Sequence, residues 1–166
     1  TKLRSDGAVA SDESGEHAVP EPRPGQVDGG GGPKAVTGLA LDVFRELERA
    51  GIPHCVWKGS IHLGDSLEGR SDLDVLVDPA RREDLHGVLA SLGCRTSRVA
   101  PRRADVGVED LIGIDPESGR VLHFHVYHRL LLGERHLDRY RLPWERWVLQ
   151  SRTRMSGVSV AEPAVE

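Results

Sequence analysis

At 166 residues with 38% hydrophobic content, the chain can build one domain with a real core but not two large ones. Its 22 basic and 26 acidic residues leave a formal charge of −4, which gives no overall reason for nucleic acid or an anionic membrane as a partner. No apolar run approaches the ~18 residues that span a bilayer, and the N-terminus lacks the basic-then-apolar layout of a secretory signal. Cys55 and Cys94 are the only cysteines and form no C-x-x-C pair. The expectation is two buried, reduced thiols and a cytoplasmic setting.

Residues 1–34 are rich in Gly, Pro, Ser and acidic side chains and almost free of large apolar ones, so they cannot offset the entropy of ordering. They read as a disordered tail or linker ahead of a domain over 35–166. The chain begins at Thr1 rather than Met and stops at "AEPAVE" without a closing helix or strand, which reads as a piece of a longer protein.

From Val36 the pattern turns helical: Val36, Leu39, Val43, Phe44 and Leu47 recur at helix spacing, Thr37 stands at the cap and Gly51 ends the run, predicting a helix over about 37–50. "HCVWKG" (54–59) reads as a short buried strand and "GSIHLGDSL" as a turn passing into a short helix closed by Gly69. In "DLDVLVD" (72–78), Leu73, Val75 and Val77 share one strand face and Asp72, Asp74 and Leu76 the other. Asp78-Pro79 is a cap followed by a first-turn proline, and Leu85, Val88, Leu89 and Leu92 give the next helix its apolar stripe before Gly93. A third strand is expected at 94–99. After it, "EDLIGID" and "RVLHFHVYH" around the turn "PESG" predict a hairpin, and Pro143 opens a short C-terminal helix. No internal repeat is present.

The chemistry concentrates at 58–74. Carboxylates at i and i+2 on a strand lie about 7 Å apart on one face, a spacing that suits hard cations better than a salt bridge. Buried without a partner they would cost several kcal/mol, roughly, or stay protonated. Mg²⁺, or Mn²⁺, is the natural ion, because it takes one or two carboxylates and completes its shell with phosphate oxygens and water. Gly59 and Ser60 supply a second cradle: the glycine lets the backbone approach a triphosphate, and the hydroxyl donates to it. Lys58 adds a point charge. Singly, D-x-D is also what a solvated strand end shows and G-S what a helix-opening turn shows; the combination within one short window carries the functional reading.

Gly59-Ser60, eleven intervening residues and then Asp72-Leu73-Asp74 followed by "VLV" resemble the signature of the nucleotidyltransferase superfamily related to DNA polymerase beta. The similarity covers about residues 36–128 and is strongest at 56–78. It implies an α+β fold, a small mixed sheet flanked by helices, and in-line transfer of a nucleoside monophosphate from an NTP to a hydroxyl with pyrophosphate leaving. By the same resemblance, Asp72 and Asp74 would bind the metals, while Gly59 and Ser60 would hold the triphosphate, beside the cofactor-binding charge expected of Lys58. The stretches "RVLHFHVYHRLLLGE" and "YRLPWERWVL" are similar to bacterial nucleotidyltransferase-like domains with a His-rich strand, some joined to a C-terminal thymidylate-kinase-like domain in polysaccharide clusters.

The sequence departs from that pattern where the superfamily has a third carboxylate on a later strand. His123 and His125 stand there, sharing one strand face, either as ligands favouring Zn²⁺, Mn²⁺ or Fe²⁺, as a general base, or as packed histidines of a degenerate site. Asp110, Asp115 and Glu134 are outside candidates for the acid, Asp115 being explained already as a turn residue before Pro116. His128 falls off the face and reads as structural. "PRR" (101–103), Arg81-Arg82, His62 and Arg70 read as surface, and Trp144 and Trp147 as anchors of the last helix.

The leading expectation is a metal-dependent nucleotidyltransferase with a small-molecule, sugar or protein hydroxyl as acceptor and no nucleic acid or membrane partner. Against it stand a catalytically silent nucleotide- or metal-binding domain of a larger enzyme, an antitoxin-type nucleotidyltransferase, and a metal hydrolase built on the aspartates and histidines.

Overall fold

The computed structural model describes residues 38–97, 107–132 and 140–163. The chain divides into Thr1–Gly32 and Pro33–Glu166, and every described residue belongs to the second unit. The expected disordered tail, Thr37, the "PRR" stretch and Glu134 lie outside the described residues.

Helix α1 (Gly38–Arg49) leads to β1 (His54–Val56), a 3-10 turn at Ser60–His62, α2 (Leu63–Leu67) and β2 (Leu73–Val77). A second 3-10 turn, Pro79–Arg81, opens α3 (Arg82–Ser91), which is followed by β3 (Arg95–Thr96), β4 (Val108–Ile114), β5 (Val121–Tyr127) and β6 (Leu130–Leu132). The described chain closes with β7 (Tyr140–Leu142), α4 (Glu145–Gln150), β8 (Thr153–Met155) and β9 (Val158–Val160). Seven strands form a mixed sheet in the order β3-β4-β5-β2-β1-β9-β8, and β6 and β7 form a separate two-stranded ribbon. The protein is therefore α+β.

Strand β2 is the axis of the sheet, antiparallel to β1 and parallel to β5. Its odd-numbered residues Leu73, Val75 and Val77 enter the main core with Leu122, Phe124 and Val126 of β5, under α1, α2 and α3. Leu39, Ala40, Val43, Phe44 and Leu47 form the buried stripe of α1, each large side chain contributing roughly 1.5–3 kcal/mol. On the opposite sheet face a smaller core gathers Cys55, Trp57, Leu76, Leu130, Ala161 and the α4 residues Val148 and Leu149. That second core covers one end of the face and leaves the end bearing Asp72 and Asp74 open.

Local chemistry fixes the segments that frame this opening. Gly69 has φ 71°, and a Cβ there would stand 2.8 Å from the Val121 carbonyl oxygen, so the turn between α2 and β2 lies directly against β5. Beside it the Arg120 guanidinium donates to the Glu68 carbonyl at 2.9 Å, while Arg70 pairs with Asp65 and with the buried Glu68 carboxylate. Asp78 accepts the Ala80 N–H at 2.9 Å, the cap expected before Pro79, although it opens the 3-10 turn rather than α3 itself. Arg81 is no free surface cation: it donates to the Gly51 and Ala50 carbonyls at the end of α1.

The two cysteines are free and buried, and burial pushes the Cys55 thiol up to about 12. Strands β8 and β9 are an addition to the expected fold, extending the sheet beyond β1 through the parallel pair Val56 and Val160. Trp144 and Trp147 correct another expectation: both are half exposed and pack edge to face on each other at 6.2 Å, while Val148 and Leu149 anchor α4. No described helix is long and apolar enough to cross a membrane.

Candidate metal centre

The open sheet face is built by strand alternation. With Leu73, Val75 and Val77 committed to the core, Asp74 must point the other way, and Asp72, one residue ahead of β2, joins it. In β5 the same rule sends Leu122, Phe124 and Val126 inward and His123, His125 and Tyr127 outward. Parallel pairing sets Asp74 beside His125, and antiparallel pairing sets Asp110 of β4 on the other side of His125. Three strands thus place Asp110, His125 and Asp74 in one row.

His123 Nδ1 lies 3.0 Å from Asp72 Oδ1, and His125 Nδ1 lies 3.9 Å from Asp72 Oδ2 and 3.6 Å from Asp74 Oδ1. The far nitrogens turn to β4: His123 Nε2 is 3.3 Å and His125 Nε2 is 3.0 Å from the same oxygen, Asp110 Oδ1. The two rings meet edge to face with centroids 4.4 Å apart. Among the described residues, Asp72, His123 and His125 offer ligand atoms that all lie within 4.8 Å of one another.

Lys58 borders this cluster. Its ammonium sits 4.3 Å from the Trp57 ring centroid and 4.8 Å from that of Tyr127. Burial lowers its pKa, opposed by the Asp74 charge. Burial alone would raise the Asp74 carboxyl, but the polar groups of His125 and Tyr127 beside it and the Lys58 charge hold it below the ordinary value. The neighbouring Asp74 carboxylate raises His125 against the effect of burial, helped by the charges of Asp110 and Asp72. Three carboxylates gathered around two imidazoles and one lysine make the face one that favours cationic groups.

The Gly59-Ser60 turn leaves the strand next door. The Trp57 N–H donates to the Asp74 carbonyl at 3.0 Å, so the turn starts beside Asp74. Gly59 has φ 71°, and nothing lies within 4 Å of where its Cβ would be, leaving the backbone open to an approaching group.

No family model, curated protein or solved structure matches this chain.

Of the residues singled out from sequence, Asp72, Asp74, His123 and His125 converge, and Lys58 stands next to Asp74; Gly59 and Ser60 belong to the adjoining turn. Asp110, an outside candidate, joins the centre. Folding the predicted hairpin about its turn already places 110 opposite 125, so this acid was available from register counting. Asp115 does not join: by alternation it points to the helix side, where it accepts the Leu39 N–H at 2.9 Å, the Ser118 N–H at 3.0 Å and the Ser118 hydroxyl at 2.5 Å. His128 is structural, buried and 2.7 Å from Glu109 Oε1. Hollows of about 370 and 400 Å³ lie elsewhere, the first lined by Glu48, His54, Arg152 and Arg154, the second by Asp78, Glu145, Arg146 and Gln150.

Proposed function

We propose that this domain has a nucleotidyltransferase-like fold and transfers a nucleoside monophosphate from a metal-bound NTP to a hydroxyl of a small molecule, sugar or protein. The observation that carries the reading is the pairing of Asp72 and Asp74 on the open face of the central strand with the Gly59-Ser60 turn leaving the strand beside them. The donor set fits a divalent ion, since carboxylate and imidazole atoms of Asp72, His123 and His125 converge within 4.8 Å of one another. A bound ion would neutralise triphosphate charge and acidify the attacking hydroxyl.

The chain's own groups divide the remaining work. Gly59 gives the phosphates access to backbone, Ser60 offers a hydroxyl, and Lys58 supplies a positive charge held over the Trp57 and Tyr127 rings. A carboxylate of the open face receives the proton of the acceptor hydroxyl, and Asp110 orients the imidazoles from behind. The lack of a third acid was the argument for a catalytically silent binding domain; Asp110, within 3.0 Å of His125 and 3.3 Å of His123, supports the active reading over that one.

Calorimetric titration of the chain with each NTP, in Mg²⁺, in Mn²⁺ and without metal, tests this against an Asp72→Asn, Asp74→Asn variant. The expected result is metal-dependent binding that the variant loses with its far-UV circular dichroism unchanged. Equal binding by the variant, or no binding of any NTP, overturns the assignment.

A further inference from the structure

The two histidines are oriented alike in a way that alternation alone does not require. Each ring presents Nε2 toward Asp110, at 3.3 Å for His123 and 3.0 Å for His125, and Nδ1 toward the other two acids: His123 Nδ1 is 3.0 Å from Asp72, and His125 Nδ1 is 3.6 Å from Asp74 and 3.9 Å from Asp72. A neutral imidazole has one N–H and one lone pair. With one nitrogen of each ring turned to Asp110 and the other to the Asp72 and Asp74 side, ring nitrogens and carboxylate oxygens converge as a donor set that a metal ion can bind.

The converging atoms identify the side on which that cation fits. Asp72, His123 and His125 place one ligand atom each within 4.8 Å of the others, while Asp110 stands behind the rings with one oxygen shared between them. A carboxylate behind a ligating imidazole fixes ring orientation and raises its basicity. Two nitrogens and one carboxylate are the donor chemistry of first-row transition ions, whereas Mg²⁺ prefers oxygen throughout.

We infer that Asp72, His123 and His125 form a three-ligand site for a divalent transition ion in preference to Mg²⁺, with Asp110 as the positioning residue that sets both imidazoles. The inference deepens the proposed function by naming its metal, and rests on that reading only for what the metal is used for. Asp74 remains beside the site, 3.6 Å from His125 Nδ1, and keeps a nucleotide-bound second ion within its reach in the same proposal.

The test uses metals alone, without nucleotide, on the full chain stripped with a chelator. Co²⁺ is titrated by visible absorption, and Zn²⁺, Mn²⁺ and Mg²⁺ by calorimetry. The inference predicts a Co²⁺ ligand-field band and binding of Co²⁺ and Zn²⁺ at least about 100-fold tighter than Mg²⁺. His123→Gln and His125→Gln each lose the band while keeping the far-UV circular dichroism of the folded metal-free chain, and the exposed control His62→Gln keeps the band. Asp110→Asn weakens Co²⁺ binding about 10–100-fold and shifts the band, and Asp110→Glu restores part of the loss. Mg²⁺ binding as tightly as Co²⁺, or a band that survives both histidine substitutions, overturns the inference. Transition-metal binding with no NTP binding would sink the nucleotidyltransferase reading and leave the metal site standing; Mg²⁺-NTP binding with no transition-metal preference would do the reverse.

Discussion

Replacing Asp115 separates a structural acid from the site acids. Its buried carboxylate accepts the Leu39 N–H in the first turn of α1 and both the N–H and the hydroxyl of Ser118. Asp115→Ala strands the Leu39 donor inside the protein, at about 1–3 kcal/mol, while the exposed Ser118 groups return to water at little cost. Loss of an N-terminal cap, measured elsewhere at roughly 0.5–2 kcal/mol, describes the same bond and is not added to it. The expected loss is therefore about 1–3 kcal/mol, and Asp115→Asn, which keeps one acceptor oxygen, loses about half as much. Urea unfolding followed by tryptophan fluorescence measures this, with the buried Trp57 as reporter of the core. A loss under about 0.5 kcal/mol would refute the capping role. Because Asp115 points to the helix side, its Asn variant keeps metal and nucleotide binding, which Asp110→Asn does not.

Two further substitutions test the packing behind the site. A Cβ at Gly113 would lie 2.7 Å from Cys94 Sγ and 2.8 Å from Leu39 Cδ2, so Gly113→Ala overpacks the core and costs about 1–3 kcal/mol; an unchanged urea midpoint would count against that packing. Glu109 holds Arg82 at 2.6 Å and His86 and His128 at 2.7 Å. Burial alone would raise the Glu109 carboxyl, but these partners bring it below its ordinary value, and burial lowers His128. Both groups have depressed folded-state values, so their stabilisation is present above the unfolded pKa values, about 6.5 for His and 4.3 for Glu, and is lost as pH falls through the folded ones. Glu109→Gln is expected to cost about 1–3 kcal/mol at pH 7, with the difference from wild type shrinking through the carboxylate range. Urea midpoints from pH 7 to pH 3 that differ by a constant amount would contradict this linkage.

What was legible in the sequence was the part governed by local periodicity. Alternation in 72–78 and 120–128 put Asp72 with Asp74 and His123 with His125, because the core-facing residues between them left no other face. That the two pairs meet depends on β2 and β5 becoming parallel neighbours, a pairing across about fifty residues of chain that no local pattern encodes. The Asp115 cap on α1 is non-local in the same way, 76 residues from its partner. The β8–β9 hairpin escaped because Thr153, Arg154 and Met155 are all exposed and carry no alternation; its Ser156-Gly157 turn, with φ 50° and 85°, was the readable signal. On α4, Trp144 and Trp147 compete with Val148 and Leu149 for the inward face, and a six-residue helix is too short for periodicity to choose between them.

The most direct test of the nucleotide site is its location. Amide chemical shifts of the ¹⁵N-labelled chain, recorded as Mg²⁺-NTP is added, should move at Gly59, Ser60, Asp72–Asp74 and His123–His125, with Asp110 following. Shifts confined to the hollow around Glu48, His54, Arg152 and Arg154, with those residues still, would contradict the account.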